Sequence, residues 1–423
     1  MTATAEGRSG SVTAAERLLW PWWSEGALET VRWLLEEGDM AAAGPVHPQI
    51  GECEQIASAV LAGGRPVMMC DSGTGALETA YAALRLEPGS EVLVASASFR
   101  TTVTAMLPQR LVPVLCDVDP VTGAIDLRDA AARLTPRTAA LTVTHLWGRP
   151  VPLDAVREFC DRHHLALLED CSHAHGARWR GRPVGTAGDV AIWSTGTWKP
   201  VSGGRGGLLT TADRTVWERA LVLAQPKHRA LRVRDEVLRA LAETGAGHNR
   251  RATPIAAVLA ADHLRRLPHT IAIKNERTAA VERLLAEHLP VLVPLPAPAG
   301  LTSGALYKWH WRLHDTDLDT GAAARALRTA GVRASRPARP LHQAPLFTDP
   351  GLGRAVGLAQ IAPPDPSGYP GTAGLLERLV EIDTRDMYDP LPDGDPDPYE
   401  LALTTAATAL HARTRSDRKA RLT

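Results

Sequence analysis

Positive charge has no surplus in this chain. Lys plus Arg number 47 and Asp plus Glu also 47, so the basic excess that wins affinity for a phosphate backbone is missing and nucleic acid is not an expected partner. No run of about 18 apolar residues occurs, which leaves no candidate for a membrane-spanning helix. The N-terminal MTATAEGRSGSVTAAERLLW lacks the charged start and apolar stretch of a secretion signal. Cysteine is scarce: Cys53, Cys70, Cys116, Cys160 and Cys171 are odd in number, widely spaced and mostly set among apolar neighbours, with no CxxC pair. They read as reduced thiols of a cytoplasmic protein and suggest no metal site. Phenylalanine is rarer still, three residues against eleven tryptophans, and no internal repeat is visible.

What is present is length and alternation. A chain of 423 residues is long enough for two domains with a large core. From about residue 66 to 211, short aliphatic runs (PVMMC, EVLVA, LVPVLCDV, AALTVT, LALLE, DVAIWS and GLLTT) alternate with helical patterns near 75–86, 101–108, 127–134 and 153–164. Asp126 introduces the third helix, and Asp154 or a neighbour the fourth. This predicts an α/β fold with a mostly parallel sheet of seven strands between helices, which binds ligands at the carboxyl ends of its strands. Residues 212–290 read as largely helical. After the Pro-rich VLVPLPAPAG come a strand, LYKWHWRL, and a helix around 321–330. The expected division is an N-terminal segment and large domain over 1–255, then a smaller α+β C-terminal domain over 256–423. The first ten residues and the tail from HARTRSDRKA onward read as poorly ordered.

Three segments carry chemistry. SGTGALETAYAAL (72–84) sets small residues at a strand-to-helix turn, where free backbone N–H groups and the helix dipole favour an anion such as a phosphate, with the Thr74 hydroxyl in reach. In ALLEDCSHAHGA an apolar strand ends at Glu169-Asp170 and breaks into a small-residue loop carrying His173 and His175. A carboxylate there suits the pyridine nitrogen of pyridoxal 5'-phosphate (PLP), keeping it protonated so that the ring acts as an electron sink. A plain turn cap, or a pair of metal-binding histidines, is the simpler reading of that segment alone. DVAIWSTGTWKPVSGGRGGLLTT (189–211) runs from a strand to Ser194, then to Lys199, then through a glycine-dense loop to another strand. Lys199 sits among Trp198, Pro200 and Val201, where a shielded amine has its pKa lowered enough to act as nucleophile and base. Phe99, after the second strand, completes an ordered set within one α/β unit.

These residues resemble the DegT/StrS-type sugar aminotransferases, fold-type I PLP enzymes with an aspartate-aminotransferase-like large domain. The resemblance runs from about 20 to 390 and rests on SGTGAL, EVLVASASFRTTVTA, VTHLWGRPVPLDAV, EDCSHAHGARWRGRPVG, GDVAIWSTGTWK, GAGHNRRATPIAA and RPARPLHQAPLF, in that order. It implies that Lys199 holds PLP as a Schiff base, that Asp170 pairs with the pyridine nitrogen, and that Phe99 stacks on the ring. It places Gly73, Thr74 and Ser194 at the cofactor phosphate and His173 at the ring hydroxyl. Asn249 and Arg251 match a segment that reaches a neighbouring subunit's site, which implies a homodimer with shared sites. The implied reaction takes an amino group from glutamate or glutamine, through pyridoxamine phosphate, to a keto carbon of a ketosugar or ketocyclitol in natural-product biosynthesis; HGARWRGRPVG leans toward aminocyclitols.

The usual Gly-Glu-Gly-Gly after the lysine is here Gly204-Arg205-Gly206-Gly207. Arg205 therefore opens a second reading, elimination, substitution or bond formation on an amino acid whose carboxylate it grips. A PLP-binding regulator without turnover is a third. The cluster of Trp20, Trp22 and Trp23 is expected to anchor the N-terminal segment on the body of the protein rather than to line a sugar surface, and Trp309 and Trp311 to pack on one strand face.

Overall fold

The structure is a computed structural model that describes residues 20–38, 40, 46–302, 304–314, 318–349, 351–352, 364–388 and 397–421. The first ten residues of the chain lie outside these.

All seven expected strands form one sheet. In chain order its members are β1 (Val67–Cys70), β2 (Glu91–Ala95), β3 (Val112–Cys116), β4 (Thr138–Thr144) and β5 (Ala166–Asp170). Two short strands, β6 (Arg178–Trp179) and β7 (Arg182–Pro183), lie outside it, and β8 (Val190–Ser194) and β9 (Gly207–Thr210) complete it. The spatial order is β1-β9-β8-β5-β4-β2-β3, and β9 alone runs antiparallel to its neighbours. The strands are short and buried on both faces, the pattern of a sheet covered on each side.

Helix α3 (Gly73–Leu84) and the helix Arg214–Ala224 cover one face, packing Leu77, Ala80, Ala220 and Leu221 against Met68, Leu168 and Ile192. On the other face α2 (Pro48–Val60), the helix Leu153–Arg162 and the first half of the long helix Pro254–His288 pack Ala57, Val156, Phe159, Ala260 and Leu264 over Leu141 and Leu167. Asp126 caps its helix as expected, accepting from Arg128 N. Asp154 does not: Pro152 holds the cap position, and the Asp154 carboxylate instead accepts from Trp179 Nε1 at 3.0 Å.

A second, antiparallel sheet has the order β10 (Leu292–Pro294), β12 (Lys308–Leu313), β14 (Leu379–Asp383), β13 (Ala334–Ser335); β11 (Leu301–Thr302) pairs instead with β6. Trp309 and Trp311 stand edge to face, 5.0 Å between centroids, in a core shared with Val281, Leu285, Leu327 and Leu403. The tail departs from the sequence reading: a helix runs over Pro398–Arg421. Its first half buries Tyr399, Leu403, Ala406 and Leu410 at helical spacing, and the helix continues from there through the segment from His411 that reads as poorly ordered.

Candidate active site

Parallel strands that share a direction deliver their carboxyl ends to one rim, and the chemistry-bearing residues gather there. Ser72 and Gly73 follow β1, Phe99 follows β2, Asp170 ends β5, and Ser194 ends β8. The β8–β9 connection then carries Lys199 across the rim.

Lys199 Nζ lies 4.1 Å from the ring centroid of Tyr307 and 5.4 Å from that of Phe99. Its shielding comes from these two rings and not from its neighbour in sequence: Trp198 is 51% exposed and turns its ring under the Arg385 guanidinium, 4.6 Å away. Burial pulls the Lys199 amine down to about 8, while the negative charge of Asp170 opposes the shift.

Asp170 is buried, with Oδ2 accepting from the Thr102 hydroxyl at 2.6 Å and Oδ1 from Ser172 N at 3.0 Å. Thr102 is in turn fixed through its carbonyl, which accepts from Tyr81 Oη at 2.8 Å. His173 stacks on Tyr307 at 4.3 Å and meets Phe99 edge-on at 5.8 Å. Its Nδ1 accepts from Trp147 N at 3.1 Å, so the neutral ring carries its proton on Nε2, a buried atom with no hydrogen-bond partner. Burial first, then the charge of Lys199, keeps this imidazole well below its ordinary pKa and therefore neutral.

At the phosphate-favouring turn, Ser72 is the N-cap and accepts from Gly75 N at 2.9 Å. The first-turn amides beyond it have no acceptor within their own helix. Gly73 lies so close to β8 that a Cβ there would stand 2.7 Å from Ser194 Cβ. Thr74 is exposed at the same turn, and the neighbouring Thr195 hydroxyl is buried without a hydrogen-bond partner. A cavity of about 180 Å³ is lined by Phe99, Trp147, His173, Tyr307, Lys308 and Glu381, among others. It shares Ala338, Arg339, Pro340 and Leu376 with a more open one of about 440 Å³.

Three expected residues stand apart. Arg205 is exposed in the glycine loop and lines neither cavity. Asn249 and Arg251 are exposed on the segment that runs beside the end of β1, where Arg251 bridges Cys70 and Asp71 N donates to Arg250 O at 2.8 Å. Conversely, Tyr307 and Thr102 belong to the site and were not singled out from sequence. Tyr307 was hidden at the start of a strand whose tryptophans drew attention, and Thr102 within a helical stretch.

Among the described residues, one cluster has metal-ligand types close together: His145, Glu169 and Cys171. Its donors are already engaged. Glu169 accepts from His145 Nε2 and from the amides of Gly185, Ala187 and Gly188, and His145 Nδ1 accepts from Val151 N. Burial raises the Cys171 thiol well above its ordinary range, away from the thiolate a metal needs. The cluster ties the 185–188 turn to the sheet.

Comparison with known proteins agrees with this architecture. The profile of the DegT/DnrJ/EryC1/StrS aminotransferase family matches residues 24–359. An L-glutamine:2-deoxy-scyllo-inosose aminotransferase of Micromonospora echinospora is 30% identical over 92% of this chain and 96% of its own length. An L-glutamine:scyllo-inosose aminotransferase of Streptomyces griseus is 32% identical over 77% of this chain and 80% of its own. The crystal structure of the aminotransferase TlmJ from Streptoalloteichus hindustanus superposes with a TM-score of 0.74 at 27% identity, covering 94% of this chain and 99% of that one. Fold and relatives together define a PLP-dependent aminotransferase of fold-type I. The chain belongs to the DegT/DnrJ/EryC1/StrS aminotransferase family.

Proposed function

We propose that this enzyme moves an amino group from glutamine to a keto carbon of a cyclitol in antibiotic biosynthesis, with Lys199 as the catalytic lysine. The names of the two aminocyclitol relatives support the substrate pair. The observation that carries the residue assignment is the meeting of Lys199 Nζ with the rings of Phe99 and Tyr307, which line one cavity with His173, while the buried Asp170 carboxylate acts on the same amine.

These residues fit PLP. Two buried polar atoms, His173 Nε2 and Thr195 Oγ1, have no partners, and the lack of a side chain at Gly73 lets the start of α3 and Ser194 of β8 meet at one point of the rim. Bound there, PLP supplies an electron sink for the carbon that bears the migrating amine. Gly73 and Thr74 at the N-terminus of α3, with Ser194 from β8, hold the phosphate. Asp170, oriented by the Thr102 hydroxyl and the Ser172 amide, would accept from the pyridine nitrogen. His173 Nε2–H donates to the ring hydroxyl, and Phe99 covers one ring face. Lys199, with an amine lowered to about 8, would take a proton from the donor carbon at Nζ in the first half-reaction and, in the second, after the donor has left as its keto acid, deliver one to the acceptor carbon that gains the amine. Lys308 and Glu381 line the cavity beyond it and present a cation and a carboxylate to a polyhydroxylated ring.

Asn249 and Arg251 complete the neighbouring subunit's site in a homodimer, which accounts for their exposure beside their own β1. The reading also keeps a PLP-binding part over 1–255, a smaller part over 256–423 and a cytoplasmic setting, in line with five buried, unpaired cysteines. No helix among the described residues is long and apolar enough to cross a membrane. The test is the visible spectrum of the PLP-loaded protein. L-Glutamine should discharge the long-wavelength cofactor band of the wild type, and Lys199→Ala should lack that band. Persistence of the band with both glutamine and glutamate would move the assignment to the amino-acid chemistry described above.

A further inference from the structure

The backbone that carries Lys199 is held from outside its own loop. Pro200 follows the lysine and has no N–H, so the loop loses one of its own donors at this point. The Lys199 carbonyl accepts from the indole Nε1 of Trp20 at 2.8 Å, across 179 residues of sequence. Three residues later, the Ser202 carbonyl accepts from Trp23 Nε1 at 3.3 Å, and Ser202 N donates to His263 Nδ1 at 2.9 Å. His263 Nε2 in turn donates to the Trp22 carbonyl at 2.8 Å. Trp20 is 1% exposed, stacked on Tyr388 at 3.9 Å and tilted over His263 at 4.1 Å. Its backbone N–H donates to the carbonyl of Arg385, whose guanidinium lies over the ring of Trp198, the residue before Lys199. Behind Tyr388 the buried Lys274 ammonium lies 3.7 Å from the ring centroid and is fixed by the carbonyl of Leu306 and the hydroxyl of Thr384.

We propose that Trp20 is a positioning residue for Lys199, its indole N–H fixing the lysine carbonyl so that Nζ addresses the reacting carbon from a single backbone geometry. The inference rests on Lys199 being the catalytic lysine. Ordinary core packing explains a buried tryptophan ring; it does not explain why the polar edge of that ring is spent on this one carbonyl, nor why two further groups of the loop are bonded from the same segment and its histidine. A displacement of the lysine by a fraction of an ångström alters the alignment on which proton transfer depends. Removal of one such hydrogen bond, with the ring kept, should act on the chemical step more than on binding.

The test compares the PLP-loaded wild type with Trp20→Phe, and with Trp20 replaced by benzothienylalanine, which keeps the indole shape and lacks the N–H. Leu34→Ala is the control, since Leu34 is buried on the same N-terminal segment in a cluster that takes in Val258 and Trp23 but not Trp20. The expected result is a roughly five- to tenfold slower discharge of the cofactor band by glutamine in both Trp20 variants. The pH midpoint of the visible band should shift, while the KM for glutamine stays within about twofold. Leu34→Ala should lower thermal stability without moving either the rate or the midpoint. Should Trp20→Phe misfold, the isosteric variant decides alone. Trp20 variants that lose only stability, with rate and midpoint of wild type, would overturn the proposal. A normal cofactor band in Lys199→Ala would instead overturn the reading of Lys199 on which it stands.

Discussion

The charge state of Lys199 is set by a contest between two effects of opposite sign. Burial beneath Phe99 and Tyr307 favours the neutral amine, and the Asp170 carboxylate favours the ammonium; burial wins and brings the amine to about 8. The sign of each contribution is testable on the cofactor-free chain. Competitive acetylation read by mass spectrometry should show Lys199 labelling rise with pH through a midpoint near 8. Asp170→Asn removes the opposing charge, so its midpoint should fall further. A midpoint that rises or stays put in that variant would mean that the carboxylate does not act on the amine. His173 gives the complementary case: flanked by rings and close to the same amine, it stays neutral, which keeps its Nε2 a donor and its Nδ1 an acceptor. The gathering of Lys199, Asp170, Phe99 and His173 near the strand ends was legible from sequence, because each ends a strand or follows one within a few residues. Tyr307 and Thr102 were not, because nothing local marks them, and Trp20 was legible as an anchor of the N-terminal segment but not as a donor to the Lys199 carbonyl. Their importance is made by contacts that span 68 to 179 residues.

Among the elements, the strands announced themselves because a sheet covered on both faces must be apolar throughout, and PVMMC, EVLVA and DVAIWS have no polar alternation to mislead. The extent of the final helix did not, since the residues known to pack it, Tyr399, Ala402, Leu403, Ala406, Ala407 and Leu410, all precede the Arg- and Lys-rich stretch into which it runs. What sets β1 in place is also illegible locally. Glu54 on α2 accepts two hydrogen bonds from the Arg229 guanidinium, 2.8 Å each, and a third at 2.7 Å from Met69 N on β1. The pair is buried, and β1 leads directly to the Ser72–Gly73 turn. Glu54→Ala should therefore cost about 3–5 kcal/mol, because it strands a buried guanidinium and a strand amide together. Two residues away, Glu52 pairs with Arg265 at the surface, and Glu52→Ala should cost less than about 1 kcal/mol. Urea unfolding of the two variants checks the contrast, and equal losses would mean that the buried pair does not anchor the strand. Weaker cofactor retention in Glu54→Ala would follow from a displaced β1.

At the level of the whole molecule, the proposed homodimer gives the exposed Asn249 and Arg251 a second copy's site to face. Asn249 adopts a left-handed backbone, φ 51°, on a segment that is pinned at its far end by Asp71 and by the ion pair of Arg250 with Glu78. That pinning projects the exposed asparagine outward from the rim beside the phosphate turn. In a two-fold dimer each copy would then lend Asn249 to the other's site, and every site would need Lys199 from one chain and Asn249 from its partner. Complementation tests this without a structure of the dimer. Lys199→Ala removes the catalytic amine, and Asn249→Asp sets a carboxylate against the cofactor phosphate, so each variant alone should be inactive. Mixed, unfolded and refolded together in equal amounts, they should form heterodimers in half of the pairings. One site of each heterodimer then combines a wild-type lysine with a wild-type asparagine, and its other site carries both defects. About one quarter of the wild-type activity should return, since only half the dimers carry one intact site out of two. If Asn249 instead served its own chain's site, every site in the mixture would hold one defect and no activity would reappear.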